Sequence, residues 1–121
     1  ADCGNSPKQQ LLVDFNVAFA RGDIPAIVAS ISDDIVWTMV GDQVMRGKEA
    51  FVRGLEPMKE HPMAELQIEN VITHGRSGAA NGIVVMPDGR RYGFCDIYGF
   101  ASARGSKIRS LTSYVIQVAD D

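Results

Sequence analysis

Apolar residues recur at helical spacing near the start of the chain and at every second position in its last half. That change of period sets the expected architecture. Leu11, Leu12, Phe15, Ala18 and Phe19 make one apolar stripe at helical spacing. Ser6-Pro7 opens that helix, with a hydroxyl that can cap it and a proline at its first position. Gly22 is placed to end it, because glycine tolerates the left-handed conformation found after helices. Asp23 caps a second, short helix predicted to reach about Ile31, with Ser32-Asp33-Asp34 breaking it. Residues 35–40 then read as a strand, Gly41-Asp42 as a turn and residues 44–46 as a short return strand. A third helix is predicted from about Lys48, with Phe51, Leu55 and Met58 on one face. Pro57, which has no backbone N–H, is expected to end or kink it.

From Met63 the pattern turns to period two. Glu65, Gln67 and Glu69 alternate with Leu66 and Ile68, so one face of this strand is wet and the other buried. A turn follows at residues 75–78 and a strand at 79–86. Pro87-Asp88-Gly89 is a hairpin signal, since Pro presets the first turn angle and Gly supplies a positive φ. Two long strands, 92–103 and 107–118, complete an antiparallel meander. Helices first and strands after give an α+β fold, with three helices covering one face of the sheet.

The 121 residues fit one domain, 1–121, with residues 1–6 expected to be flexible. With 45% hydrophobic and 22% charged residues, the chain needs no metal or disulfide to hold a core. The 12 Lys and Arg against 15 Asp and Glu lack the basic excess of a nucleic-acid binder. No apolar run is long enough to span a membrane, and no signal peptide is visible, so the expected location is the cytoplasm. Cys3 and Cys95 make no disulfide framework. His61 and His74 have no partners at metal-ligand spacing, and no phosphate loop, dinucleotide motif or catalytic triad is present, so neither metal nor cofactor is expected.

Four stretches, in order, resemble the NTF2-like superfamily, the SnoaL-like and ketosteroid isomerase-like small proteins. They are Phe19-Ala20-Arg21-Gly22-Asp23-Ile24; Asp33-Asp34-Ile35-Val36-Trp37; Gly41 with Arg46-Gly47-Lys48-Glu49-Ala50-Phe51; and Phe94-Cys95-Asp96-Ile97-Tyr98-Gly99-Phe100 with Lys107-Ile108. The resemblance implies a cone, cystatin-like, in which three N-terminal helices pack on a strongly curved, mostly antiparallel sheet around a pocket. Fold alone does not fix activity, and this superfamily hosts isomerases, cyclases, epoxide hydrolases, carriers and interaction domains.

Asp96 is the expected catalytic residue. It is in phase with Tyr92, Phe94, Tyr98 and Phe100, so one carboxylate shares a strand face with four aromatics. Burial there disfavours the charged form and raises its pKa, and a neutral acid in an apolar pocket can donate a hydrogen bond. By resemblance, Asp96 falls where ketosteroid isomerases carry their oxyanion-hole aspartic acid. Met39 stands where those enzymes have the base and Phe15 where they have the oxyanion-hole tyrosine, so steroid isomerisation by that mechanism is not expected. Phe15, Trp37, Met39, Tyr92, Phe94, Tyr98 and Ser113 are the expected ligand-binding residues. Asn70, in phase with Leu66, Ile68 and Ile72, is a polar group on an apolar face and needs a hydrogen-bond partner.

The expected partner is therefore a small apolar molecule. The expected activity is an isomerisation or aldol-type cyclisation of a carbonyl compound with Asp96 as acid/base or donor. A non-catalytic carrier and a dimerising interaction domain are the rival readings. The sheet's outer face is expected to join two copies as a homodimer.

Overall fold

The computed structural model describes residues 6–119. The expected flexibility of residues 1–6 and any role of Cys3 therefore fall almost wholly outside the described residues. Cys95 is a free, half-buried thiol.

Helix α1 spans Pro7–Arg21 and begins with a reciprocal cap. Ser6 Oγ accepts from Gln9 N at 3.2 Å and Gln9 Oε1 accepts from Ser6 N at 2.9 Å. It ends at Gly22, whose φ of 69° favours glycine; a Cβ there would also meet the backbone of Met58. Helix α2 is shorter than expected, Ile24–Val28, and strand β1 (Ile31–Met39) starts where the helix was predicted to end. The Ser32-Asp33-Asp34 breaker lies inside β1, at an irregularity in its pairing. Asp33 and Asp34 face outward there, paired with Lys48 at 3.1 Å and Arg109 at 3.2 Å.

Strand β2 (Gln43–Arg46) is followed by α3 (Lys48–Glu60), which runs through Pro57 rather than stopping at it. The carbonyl that proline leaves unpaired belongs to exposed Arg53, where water can satisfy it, and one turn of helix remains beyond. Met58 is thereby carried on the helix with Phe51 and Leu55, as its spacing predicts.

Strands β3 (Glu65–His74), β4 (Ser77–Val85), β5 (Arg91–Phe100) and β6 (Ile108–Val118) form the meander. The sheet order is β2-β1-β6-β5-β4-β3, with β1 parallel to β6 and every other pair antiparallel. The α+β fold is thus helices packed against one face of a curved, mostly antiparallel six-stranded sheet. Leu12, Ile31, Ile35, Phe51, Leu55 and Ile108, all fully buried, fix the closed end between helices and sheet. No helix among the described residues is long and apolar enough to cross a membrane.

The outer sheet face carries Ile72, Ile97, Tyr114 and Ile116, exposed by 63%, 44%, 47% and 71%. Ile72 reaches that face because β3 is bulged between Ile68 and Asn70. The extra residue turns every later side chain to the opposite face. Asn70 accordingly points outward and donates to Asn81 Oδ1 at 3.0 Å, instead of sharing the apolar face of Leu66 and Ile68.

Candidate functional site

Strand β5 runs from the open end of the cone to its closed end, and its inward residues record the change. Tyr92 is half-buried, Phe94 is 9% exposed, Asp96 is half-buried, Tyr98 is 1% exposed and Phe100 is 4% exposed. Asp96 sits where packed core gives way to a cavity of about 340 Å³, near the lower end of the roughly 300–1,000 Å³ usual for small-molecule sites.

Of the expected residues, Trp37, Met39, Tyr92, Phe94, Asp96 and Ser113 come together on this cavity. Phe15 and Tyr98 lie behind its floor, in the packed core, with their rings edge-on at 6.1 Å. Tyr98 acts on the site through its hydroxyl and not as a wall. Sequence reasoning missed Asn16, which lines the floor while 7% exposed, and three methionines, Met58, Met63 and Met86. With Met39, four of the chain's five methionines line one cavity. Their unbranched thioethers suit irregular apolar ligands.

The polar groups at the floor form one connected set. Asn16 Nδ2 donates to Leu12 O at 2.8 Å and to the Tyr98 hydroxyl at 2.9 Å. A backbone carbonyl can only accept, so the atom facing Leu12 O has to be the amide nitrogen. Tyr98 in turn donates to Asp96 Oδ2 at 3.4 Å, a long bond. From the other side, Trp37 Nε1 donates to Ser113 Oγ at 3.1 Å. Ser113 is the direct partner of Asp96 in the β5–β6 ladder, on the same inward face. Among the described residues, Asp96 is the single carboxylate on the cavity lining.

Burial raises the Asp96 pKa from its ordinary 3.8 to about 6, against the pull of the Ser113 and Tyr98 hydroxyls, which favour the anion. Burial also holds the Tyr98 hydroxyl well above the usual tyrosine range, reinforced by the nearby Asp96 charge. At neutral pH Asp96 is therefore mainly an anion, poised as a base. It becomes the neutral donor expected from the sequence only below about pH 6. No group of three or more His, Cys, Asp or Glu able to hold a metal ion occurs among the described residues.

Residues 12–111 match the SnoaL-like domain family. No curated protein matches the chain. Among solved structures, an NTF2-like protein of unknown function from Cytophaga hutchinsonii is 26% identical, with a TM-score of 0.69 over 90% of this chain and 99% of that one. An LEH-like epoxide hydrolase from M. tuberculosis superposes with a TM-score of 0.73 at 17% identity, over 90% of this chain and 82% of that one. A proposed SnoaL-like polyketide cyclase from Shewanella denitrificans gives 0.75 at 15% identity, over 92% of each chain. The chain belongs to the SnoaL-like domain family, within the NTF2-like fold.

Proposed function

We propose that this protein binds a small, mainly apolar molecule in the cavity and moves a proton on it with Asp96. The observation that carries this reading is the placement of one half-buried carboxylate at the floor of a methionine- and aromatic-lined cavity, bonded by the Tyr98 hydroxyl and faced by Ser113 across the ladder. A base with a pKa near 6 is ionised at neutral pH yet strong enough to take a proton from carbon beside a carbonyl. The same carboxyl then returns that proton to oxygen, which is an isomerisation. Solved structures of the same fold include proteins described as an epoxide hydrolase and a proposed polyketide cyclase. With Met39 and Phe15 in place of the isomerase base and tyrosine, Asp96 works without a second carboxylate.

The test is the keto–enol interconversion of 2-acetylcyclohexanone, followed by the enol's ultraviolet absorbance. The protein is expected to accelerate it, and Asp96→Asn to remove about 10²–10⁴-fold of that rate. Equal rates for the two proteins would leave the carrier reading in place.

A second, compatible reading concerns the outer sheet face. Ile72, Ile97, Tyr114 and Ile116 expose apolar surface together on neighbouring strands, which supports two copies joining through this face.

A further inference from the structure

We propose that Ser113 is a second catalytic residue of this site, its hydroxyl donating a hydrogen bond to the carbonyl oxygen of the bound molecule while Asp96 takes the proton from the neighbouring carbon. This rests on the proton-transfer reading above and names the group that steadies the charge on oxygen.

Besides Asp96, four lining side chains carry a hydrogen-bond donor: Asn16, Trp37, Tyr92 and Ser113. Asn16 has two amide hydrogens, and both are committed, to Leu12 O and to the Tyr98 hydroxyl. The indole N–H of Trp37 is committed to Ser113 Oγ. Tyr92 lies four residues from Asp96 along β5, about 13 Å toward the open end. Ser113 remains, 8% exposed and on the lining. An indole nitrogen can only donate, so Ser113 Oγ accepts from behind and keeps its own proton to give. Among the described residues Ser113 donates no side-chain hydrogen bond. What its hydroxyl faces is Asp96, across the ladder, and whatever the cavity holds.

Residues directly opposed in a ladder have Cβ atoms about 4.5–5.5 Å apart, and Ser113 and Asp96 are so opposed, both on the cavity. A base and a donor this close can reach a C–H and the oxygen of the adjacent carbonyl in one molecule. The Asp96 carboxylate takes the hydrogen from carbon, and the C–H electron pair becomes the new C=C bond. The carbonyl π pair moves onto oxygen. The negative charge therefore leaves Asp96 and appears on the ligand oxygen, beside a hydroxyl whose oxygen is held by the Trp37 indole. The Ser113 proton stays on Oγ throughout. Neutral Asp96 then gives its proton to the ligand oxygen, which completes the enol. A donor fixed beforehand where charge develops lowers the barrier more than it tightens binding. Trp37 is the positioning residue here, acting through Ser113. Without Ser113, a carbonyl at the floor would lose its hydration with no donor to replace it.

Two variants of one shape isolate the hydroxyl: Ser113→Thr keeps it and Ser113→Val lacks it. The interconversion of 2-acetylcyclohexanone is followed across pH with both. On the plateau above the Asp96 midpoint of about 6, Ser113→Val is expected to be slower than Ser113→Thr by about 10²-fold, the loss typical of one removed oxyanion donor. A group that acted only by holding the Asp96 anion would move the midpoint and leave the plateau unchanged. A direct readout needs no variant. 2-Acetylnaphthalene, isotopically labelled at its carbonyl carbon, is bound to the unsubstituted full chain at pH 7.5. Its carbonyl infrared band is expected at lower frequency than in hexane, and to return toward the hexane value in Ser113→Val. A bound carbonyl at the hexane frequency, or equal plateaux for the Thr and Val variants, overturns the inference, while a rate lost in Asp96→Asn would still uphold the proton-transfer reading. No acceleration by the unsubstituted protein, or a rate that Asp96→Asn leaves unchanged, removes that reading and the inference with it.

Discussion

The indole N–H of Trp37 donates to Ser113 Oγ across 3.1 Å, and Ser113 faces Asp96 directly in the next strand. The single tryptophan is therefore one hydrogen bond from the residue that faces the candidate base. Ionising Asp96 strengthens the pull on the Ser113 hydroxyl and, through it, on the indole. Trp37 emission is expected to titrate with a midpoint about pH 6. His61 and His74 are both exposed, and neither lines the cavity, so Asp96→Asn is the deciding control. A transition that persists unchanged in that variant would assign it to another group.

The raised pKa of Asp96 also sets a pH dependence of stability. The folded carboxyl binds its proton more tightly than the unfolded one, about 6 against 3.8. Its contribution is fully present below pH 3.8, is lost as pH rises toward 6, and above that the buried anion is a constant cost on the order of 2–3 kcal/mol. Asp96→Asn removes the titration while keeping an oxygen that accepts from Tyr98. At pH 8 the variant is expected to melt higher than the unsubstituted protein, by roughly 5–10 °C. Near pH 4 the gap should close. Thermal denaturation at both pH values checks this, and a variant less stable at pH 8 would contradict it.

Tyr98 earns its burial by joining Asn16 to Asp96. Tyr98→Phe deletes the hydroxyl that favours the Asp96 anion and leaves one Asn16 amide hydrogen without its partner. Two readouts should move together. The Asp96 pKa is expected to rise further above 6, and stability to fall by about 1–3 kcal/mol from the unpaired buried group. A carbon-detected NMR titration and chemical denaturation measure them. A drop in stability with the pKa unchanged would mean that the 3.4 Å contact contributes nothing to the carboxylate.

How much of this site the sequence discloses depends on whether a regular period reaches the residue. Asp96 and its in-phase aromatics were legible because β5 alternates without interruption over residues 91–99, as its pairing with β4 records. Asn70 was misplaced because the bulge after Ile68 adds one residue, and no local pattern announces it. The close approach of Gln67 O to Gly82 is its structural signature, since a Cβ at Gly82 would collide with that carbonyl. Asn16 carried a signal that went unused. It lies four residues after Leu12 and three before Phe19, so it is a polar group inside the apolar stripe of α1. Met63 and Met86 sit outside helices and strands, where neither period applies, and Met58 follows a proline read as an end or a kink of the helix. The cone's closed end was legible from residue type and spacing. Its open end, set by a helix running past Pro57 and by two loops, was not.

Self-association offers the last test, because it depends on a face that plays no part in the cavity. Ile116 is 71% exposed and opposes Gly93 on β5, with Tyr114 opposing Cys95 beside it. A two-fold pairing of this face would place Ile116 of each copy against apolar surface of the other, since such interfaces use the same patch twice. Ile116→Lys puts a charge into each half of that contact, and desolvating it is unfavourable. Sedimentation is expected to give a particle of twice the 13.1 kDa chain mass for the unsubstituted protein, and the single chain mass for Ile116→Lys. Because the side chain at 116 is on the sheet's outer side, the rate of 2-acetylcyclohexanone interconversion inside the cone should change by less than about threefold in the same variant. A monomer before substitution would remove the dimer reading while leaving the Asp96 site intact. Loss of both properties in Ile116→Lys would instead mean that closure of the cavity depends on the paired sheet.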